Sequence, residues 1–423
     1  MRIRLPYDVA GLSACDIPDG RLSAIYRMAE TPAVSDLDRE IRAALDRPIG
    51  CPRLSALVRS DQRVAVIVDD LTRPTPTARI LPGVLEALHD RGVRREQISV
   101  VVALGSHRPM TAAEIRKKVG DTAAADYRVV NSRFDDPAHL VDCGRSADGV
   151  PIWIDEAVAR ADLRIGIGSI VPHGAVGWSG GAKILYPGVA GKETVARFHF
   201  THGLTEENMT GREACPVRAR MEAWVQQVGL EFVVNCVLTP DDAVSRVVAG
   251  HYVAAQRAGV AAAKPIYCRE IREQVDIVVS VGYVHDGDFW QASKGLYGPE
   301  ALVRDGGTLL LVAPCSEGIG PHADYLERIG RDDNRAILEA ILDGRMKEPP
   351  DPLSLGPAGM MARLRRRFRA AIVSPGLGRH DLDPAGYEKF DDVESGVATL
   401  LHRYPLGRVA VVLRSDLAFL TRA

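Results

Sequence analysis

The sequence predicts an α/β protein with two α/β domains and mainly parallel sheets, and three observations support this fold class. Short apolar runs rich in β-branched residues alternate with helical stretches, as where the run at 64–68 precedes a helix-like stretch at 77–91. These runs are apolar throughout, which is typical of parallel strands covered on both faces. The chain has 423 residues, enough at ~100–200 residues per domain for two or three domains.

The other elements follow the same alternation. Further apolar runs predict strands at 98–104, 163–167, 231–238, 275–281, 308–312, 370–373 and 409–413. Thr111 and Glu114 form a capping-box signature, which predicts a helix at 111–119. A longer helix is expected at 252–273, between the two domains.

The position of this long helix sets the expected domain boundaries. We expect a cofactor-binding and catalytic domain at 1–265, joined by a returning segment at 405–423, since chain ends often lie close together. A second α/β domain is expected at 266–404. It would close over the substrate, with the active-site cleft between the two domains.

Composition narrows the class of protein. Charged residues make up 26% and the formal net charge is -2, so neither nucleic acid nor a membrane surface is expected as a partner. The seven cysteines are odd in number and never form a CxxC pair, which argues against a disulfide framework or a Cys-based zinc site. No run approaches ~18 uninterrupted apolar residues, so we expect a cytoplasmic protein without a membrane span.

Lysine is rare among the basic residues. Only eight of the 53 basic residues are lysine. Arginine cannot replace a nucleophilic or covalently bonded amine. A lysine that persists in such a chain is therefore a better candidate for amine chemistry. The adjacent pair Lys117 and Lys118 is interpreted instead as solvated helix surface.

Polar motifs follow four of the predicted strands, where ligands bind in open α/β sheets. The first, at 69–76, places Asp70 and Arg73 in a proline-rich turn, where Arg73 can bind a carboxylate or phosphate bidentately. A structural Asp–Arg pair that closes the turn is the alternative. The second motif places His107 after a glycine and a serine, as a proton-transfer group or as a merely hydrogen-bonded histidine.

The third motif, at 171–183, is the densest. It combines His173 with a glycine-rich stretch that ends in Lys183, and such a backbone can present N–H groups to a phosphate or cofactor. Neither the Walker pattern nor G-x-G-x-x-G is present. His199 and His202 follow, three residues apart, either as a metal ligand on a shared helix face or as ordinary polar residues.

The fourth motif follows the predicted strand at 275–281. Gln291 and Lys294, three residues apart on a predicted helix, can face one site. A solvent-facing polar pair is the alternative.

Together these segments resemble the nickel-pincer lactate racemase family, a group of 2-hydroxyacid racemases and epimerases. The resemblance is carried by DDLTRP at 69–74, GSHRP at 105–109, PHG and SGGAK within 172–183, the later His199, and the Q-x-x-K pair at 291 and 294. In this order the motifs span roughly half of the chain.

The resemblance implies a covalently attached cofactor, pyridinium-3-thioamide-5-thiocarboxylic acid mononucleotide, which grips Ni(II) through a ring carbon and two sulfur atoms. Lys183 matches the lysine of the thioamide link, and His199 matches the histidine that completes the nickel ligands. The other residues assigned to the cofactor are Asp70, Ser179, Gly180 and Gly181. Cofactor-biosynthesis proteins are implied as partners for loading.

The resemblance also implies an isomerase that passes a hydride from the substrate's α-carbon to the cofactor and back to either face. His107 and His173 match the two catalytic histidines that move the hydroxyl proton. Arg73 and Lys294 match the residues that bind the substrate carboxylate, with Gln291 as a polar neighbour.

One residue departs from the family pattern. The lactate enzymes carry tyrosine directly before the glutamine of Q-x-x-K, whereas this chain has Trp290, which lacks the phenol hydroxyl and adds bulk. Trp290 is assigned to the substrate site, and it argues against lactate itself. Tyr283 and His285 are further candidates for contact with the substrate.

Two other functions are compatible with these residues. A metal-dependent hydrolase would use His107, His173 and His199 as its histidine cluster, and a covalent cofactor on Lys183 would argue against it. A non-catalytic protein that binds a nucleotide or carboxylate is the other alternative. Such a binder does not need two proton-transfer histidines.

Overall fold

A computed structural model describes residues 1–205, 207–282, 286–415, 417 and 419–422, so the candidates Tyr283 and His285 lie outside the described residues. The chain divides into two units. The first unit comprises residues 29–198 and 212–266. The second unit comprises residues 1–28, 199–211 and 267–423.

The first unit contains a six-stranded sheet. Its strands, in spatial order, are Val244–Gly250, Phe232–Leu238, Leu163–Ser169, Val64–Asp69, Ile98–Ala103 and Arg128–Asn131. All neighbours pair in parallel except Val244–Gly250, which runs antiparallel to Phe232–Leu238. Successive side chains such as Val66, Ile67 and Val68 are fully buried although they point to opposite faces. This sheet is therefore covered on both sides, as its uninterrupted apolar runs predict.

The strand order reverses in the middle of this sheet. From Val64–Asp69 the chain adds Ile98–Ala103 and Arg128–Asn131 on one side, and only then places Leu163–Ser169 on the other. In open α/β sheets a crevice forms at such a reversal, at the carboxyl ends of the two diverging strands. The polar turn after Asp69 and the glycine-rich segment after Ser169 both begin at this point.

The second unit has a fully parallel six-stranded sheet of its own. Its strands, in spatial order, are Glu388–Phe390, Arg369–Val373, Val303–Val312, Val275–Val281, Val409–Leu413 and Leu22–Tyr26. Here the order reverses between Val275–Val281 and Val409–Leu413. Ser280 Oγ at the end of the first strand donates to the carbonyl of Gly295 at 2.6 Å and lies 2.7 Å from Ser415 Oγ.

The helices and small strand pairs complete the two units. The α-helices of the described residues are Leu37–Asp46, Leu54–Leu57, Thr77–His89, Ala112–Val119, Asp121–Asp126, Glu156–Ala159, Lys192–Gly203, Pro216–Trp224, Ala254–Tyr267, Phe289–Ala292, Lys294–Tyr297, Tyr325–Ile329, Asn334–Leu342, Leu355–Arg365, Arg379–Leu382 and Val393–Arg403. The two-stranded sheets pair Arg2–Arg4 with Ala14–Asp16, Leu140–Arg145 with Pro151–Asp155, Pro172–His173 with Gly177–Trp178, and Cys268–Ile271 with Phe419–Arg422.

Several predicted elements match the structure. The α/β class is confirmed, and the strands Val275–Val281 and Val409–Leu413 have the predicted bounds. The capping box is present, since Thr111 Oγ1 accepts from the Glu114 N–H and Glu114 Oε2 accepts from the Thr111 N–H. Among the described residues, no helix is both long and apolar enough to pass through a lipid bilayer.

The expected domain boundaries need correction. Residues 1–28 and 405–423 both belong to the second unit rather than to the first. The last long strand, Val409–Leu413, pairs with Val275–Val281 on one side and Leu22–Tyr26 on the other. An apolar run predicts a buried strand, but its composition does not identify the sheet that it joins.

The predicted helix at 252–273 also needs correction. The helix ends at Tyr267, and Cys268–Ile271 forms a strand that pairs in parallel with Phe419–Arg422. Pairing with a distant segment supplies the backbone hydrogen bonds of these residues, and helical periodicity does not reveal such a partner. The active-site cleft between domains stays a prediction.

Close helix contact in the second unit depends on Gly356. A Cβ atom there would lie 2.1 Å from the carbonyl oxygen of His199, on helix Lys192–Gly203. We expect Gly356→Ala to lower the free energy of unfolding by roughly 1–3 kcal/mol, because the two helix backbones must separate. Urea unfolding followed by circular dichroism measures this. Gly20→Ala is the control, since its Cβ meets nothing within 4 Å. Equal midpoints for both variants would contradict the prediction.

Candidate functional site

A carboxylate–histidine pair lies at the carboxyl edge of the first unit's sheet. Asp70 follows the strand Val64–Asp69 directly and is only 3% exposed. Its Oδ2 lies 2.5 Å from His107 Nδ1, and its Oδ1 accepts hydrogen bonds from the N–H and hydroxyl of Thr72 at 3.0 and 2.5 Å. The structure thus brings together two of the predicted site residues, from the ends of neighbouring strands.

This pair fixes the state of the histidine. Burial would raise the pKa of Asp70, but the charge and hydrogen bond of His107 and the charge of Arg73 hold that pKa far below its usual range. The ionised carboxylate accepts the Nδ1–H of His107, so whenever the ring is neutral its lone pair lies on Nε2. His107 is therefore oriented to accept a proton, and Asp70 would stabilise the resulting imidazolium.

Arg73 is oriented by the same turn. Its Nη1 donates to the carbonyl and the hydroxyl of Thr72, at 3.1 and 2.7 Å, and the side chain is half-buried. Thr72 thereby links Arg73 to Asp70. A structural role for Asp70 and Arg73 in the turn is compatible with anion binding by Arg73. The turn holds the guanidinium in the orientation in which it would bind a carboxylate or phosphate.

Lys118 is part of this region, contrary to the expectation of a solvated surface lysine. It is 3% exposed, and its Nζ lies 2.7 Å from Asp69 Oδ1. It also donates to the carbonyls of Arg73 and Thr75, at 3.0 and 3.2 Å. Two adjacent lysines look alike in sequence, whereas in the structure Lys117 is exposed and Lys118 faces the turn.

The glycine-rich segment is held by its own protein neighbours. Ser179 Oγ donates to the Ser169 carbonyl at 2.6 Å and accepts from the Val171 N–H at 2.8 Å. Gly180 and Gly181 adopt φ values of 75° and 58°, a region that favours glycine. Their assignment to the cofactor stays a prediction.

Packing independently requires these glycines. A Cβ at Gly180 would lie 2.3 Å from Ile170 Cδ1, and one at Gly181 would lie 2.5 Å from the Tyr252 carbonyl. Asn235 Oδ1 accepts from the Gly181 N–H at 3.0 Å. Asn235 was not predicted, since it lies within an apolar strand and has no motif around it.

Arg218 is a second residue that the sequence did not reveal. It is 2% exposed, donates through Nε to the Val176 carbonyl at 3.0 Å, and also donates to the Trp178 carbonyl. Glu222 Oε1 lies 3.1 Å from Arg218 Nη1 and balances the charge of the guanidinium. One buried guanidinium thus holds the loop between His173 and Lys183 in place.

Lys183 lies on the short helical turn Gly181–Ile184 and is half-buried. Desolvation, reinforced by the positive charge of Arg73, lowers the pKa of its amine to about 7, against the opposing effect of Asp70. A substantial fraction of the amine is therefore uncharged near neutral pH. An uncharged amine is a nucleophile, which suits covalent attachment of an acyl group.

His173 is held differently from His107. Its Nδ1 accepts the N–H of Ala175 at 3.2 Å, so the neutral ring carries its proton on Nε2. The two histidines therefore present opposite hydrogen-bonding states at Nε2. One presents a lone pair and the other an N–H.

The second unit places the Q-x-x-K pair at its own strand-order reversal. Asp288 caps the helix Phe289–Ala292 by accepting from the Gln291 N–H at 2.7 Å. Lys294 Nζ donates to Gln291 Oε1, so the two side chains share one face as predicted. Lys294 is half-buried and Gln291 is buried.

Trp290 lies in an aromatic cluster within the second unit. Its ring centroid is 6.4 Å from that of His199, 4.3 Å from that of His322 and 4.7 Å from that of Tyr325. His322 Nδ1 lies 2.7 Å from Asp351 Oδ2, and Tyr325 OH lies 3.1 Å from Ser293 Oγ. These contacts fix the orientation of the indole beside the predicted nickel ligand. His322 and Tyr325 carried no sequence motif that could have identified them.

His199 and His202 differ in their surroundings. His199 is half-buried on helix Lys192–Gly203, whereas His202 is 6% exposed. Burial, and then the charge of Arg363, lower the pKa of His202 to about 4, so this ring is neutral at physiological pH. His199 is thus the more accessible of the two imidazoles, and its role as a metal ligand stays a prediction.

The donor set fits a nickel ion whose other ligands come from an organic cofactor. Among the described residues, no group of three or more His, Cys, Asp or Glu side chains is arranged to hold a metal. A single imidazole from His199, added to soft sulfur donors of a cofactor, suits Ni(II), and the uncharged amine of Lys183 suits a covalent link.

Comparison with known proteins yields one family. A model described as Lactate racemase N-terminal domain matches residues 9–211, and one described as Lactate racemase C-terminal domain matches residues 270–377. The lactate racemase of Thermoanaerobacterium thermosaccharolyticum is 28% identical over 388 residues, and that of Lactiplantibacillus plantarum is 30% identical over 379. Each alignment covers 88% of this chain and 88% of the relative.

Solved structures show the same fold. The lactate racemase apoprotein of T. thermosaccharolyticum has a TM-score of 0.86 at 24% identity, and the alignment covers 100% of both chains. A protein of Thermotoga maritima has a TM-score of 0.71 at 18% identity, with 94% of this chain and 100% of that chain covered. At these identities the likeness supports the α/β fold alone.

The lowered pKa of Lys183 predicts unusual amine reactivity in the ligand-free protein. We expect its acylation by N-hydroxysuccinimidyl acetate to reach half its maximal rate near pH 7, because only the uncharged amine reacts. Mass spectrometry of the peptide that contains Lys183 measures this rate. The same lysine in the unfolded chain is the control and should titrate near the ordinary ~10.4. A midpoint near 10 in the folded protein would contradict the prediction.

Proposed function

Because the chain belongs to the lactate racemase family, a family of isomerases, we propose that it racemises or epimerises a 2-hydroxyacid with a covalently bound nickel-pincer nucleotide. The observation that carries this proposal is that the Asp70–His107 pair and Lys183, whose pKa is lowered by burial, lie at the same edge of one sheet. A proton acceptor and an acylatable amine in the same crevice suit a cofactor-dependent reaction at a hydroxyl-bearing carbon.

The two histidines would handle the hydroxyl proton. His107 accepts it at Nε2, and Asp70 stabilises the imidazolium that forms. In the same direction a protonated His173 would give a proton from Nε2 to the product oxygen, which replaces the proton that His107 took. When the opposite enantiomer binds, His173 serves as the base, which requires its ring proton to move to Nδ1 and the contact with the Ala175 N–H to break.

Cationic and polar groups would orient the substrate. Arg73 binds the carboxylate bidentately, in the orientation that Thr72 imposes on its guanidinium. Lys294 takes the corresponding role in the second unit, and Gln291 holds its ammonium in place. Trp290 lines the path of the substrate side chain with an apolar face.

Two residues would hold the cofactor. Lys183 forms the covalent link through its amine, and His199 supplies an imidazole to the nickel. When bound, the nucleotide supplies the acceptor that takes the substrate's α-hydrogen as hydride and returns it to either face. Proteins that make this cofactor are then needed for loading. Domain closure over the substrate and a cytoplasmic location stay predictions.

Replacing either histidine tests the acid–base roles. We expect His107→Ala and His173→Ala to lower the racemisation rate by about 10²–10⁴-fold, the usual contribution of general acid–base catalysis. Chiral chromatography of a single enantiomer incubated with the holoenzyme measures this rate. Bound nickel, measured by atomic emission, should remain near the wild-type level. Near-normal turnover in both directions would refute the two-histidine mechanism.

The two cofactor residues should fail in different ways. Lys183→Arg should abolish the covalent adduct, since a guanidinium does not replace the amine. His199→Ala should keep the adduct and lose most of the nickel, because one metal donor has gone. Intact mass and metal content, after co-expression with the cofactor-making proteins, separate these outcomes. An adduct and full nickel on Lys183→Arg would show that the link lies elsewhere.

A further inference from the structure

Lys118 makes contacts that no surface lysine needs. Its ammonium meets the Asp69 carboxylate and the carbonyls of Arg73 and Thr75, at 2.7, 3.0 and 3.2 Å. The ammonium donates hydrogen bonds to the two carbonyls and forms an ion pair with the carboxylate. The side chain lies on the last turn of helix Ala112–Val119 and crosses to the turn after Val64–Asp69.

These acceptors define the two ends of the Asp70–Arg73 turn. Asp69 ends the strand, and its other oxygen, Oδ2, accepts from Thr75 Oγ1 at 2.5 Å. The carbonyls of Arg73 and Thr75 lie on the far side of the turn. The residues between them are those that hold His107 and point the Arg73 guanidinium.

We propose that Lys118 is a positioning residue, whose ammonium closes the 69–75 turn so that Asp70 meets His107 and Arg73 meets the substrate carboxylate. The catalytic consequence rests on the proposed function. The geometric part does not, because it concerns only the shape of this turn.

A buried ion pair need not serve stability. Removing one partner leaves a buried charge and destabilises strongly, whereas replacing both partners by uncharged groups is often neutral. Comparing a single variant with a double variant therefore separates a role in positioning the turn from a role in stabilising the fold. A variant that removes both charges should fold normally and yet lack the ammonium that gathers the two carbonyls.

The test uses three variants of the cofactor-loaded protein. Lys118→Met alone, Lys118→Met combined with Asp69→Asn, and the exposed neighbour Lys117→Met as the matched control are compared with wild type. Asparagine at 69 retains an oxygen that can accept from Thr75. Thermal unfolding, kcat and KM for a 2-hydroxyacid, and a crystal structure of the double variant are measured.

We expect Lys118→Met to lower the melting temperature, and the double variant to recover most of it. Both should lose about 10- to 100-fold in kcat, since displacements near 1 Å at catalytic groups have effects of this size. KM should also rise, because the Arg73 backbone is released. Lys117→Met should match wild type, and the Asp70–His107 distance should exceed 3.5 Å in the double variant.

Two results would overturn the inference. One is a double variant with wild-type kcat, KM and Asp70–His107 distance, which would make the ion pair purely structural. The other is an equal loss of activity in Lys117→Met, which would remove any special role of Lys118. If wild-type holoenzyme racemises no 2-hydroxyacid, the proposed function fails, and the crystal structure of the double variant still decides the geometric part.

Discussion

The reversal of strand order in the first unit's sheet is the constraint on which the candidate site depends. Val64–Asp69 and Leu163–Ser169 are neighbours, and the chain that follows each one builds a different half of the site. Backbone groups beyond a sheet edge have no ladder partners, so buried side chains must satisfy them. Ser179 and Lys118 do this for the two segments. The polar character of the site is thus a consequence of ending two buried strands side by side.

Most charged side chains at this sheet edge have an oppositely charged partner, whereas Lys183 is dominated by desolvation and a like charge. Lys118 pairs with Asp69, and Asp70 meets His107 in the field of Arg73. The Lys183 amine lies in the same region, where desolvation and Arg73 outweigh the attraction of the nearby carboxylates. The result is two lysines with different duties. One is an ammonium held by a carboxylate and two backbone carbonyls, and the other is an amine whose pKa is lowered by burial.

Sequence reasoning predicted the parts of this molecule that local chemistry determines. Apolar runs identified most strands. Polar residues at strand ends made His107, His173 and Lys183 candidates, and their roles stay predictions. It failed where contacts between distant parts of the chain determine the sheet that a strand joins or the direction of a side chain. The sheet joined by Val409–Leu413 depends on distant partners, and Lys118 differs from Lys117 only in the direction of its side chain from the helix. Gly180 and Gly181 were assigned to a cofactor, while the structure shows that packing also requires glycine there.

The unlike settings of His107 and His173 bear on how a racemase handles its two substrates. Asp70 stabilises a protonated His107, whereas the Ala175 N–H favours a neutral His173. Two enantiomers have the same free energy, so the equilibrium constant is one and kcat/KM must be equal in the two directions. If the unlike histidines make kcat larger in one direction than in the other, KM must therefore be larger in that direction by the same factor. An epimerase acts on diastereomers of unequal free energy, so its two kcat/KM values differ by the equilibrium constant of the substrates. There too the asymmetry of the site does not change that ratio and is divided between kcat and KM.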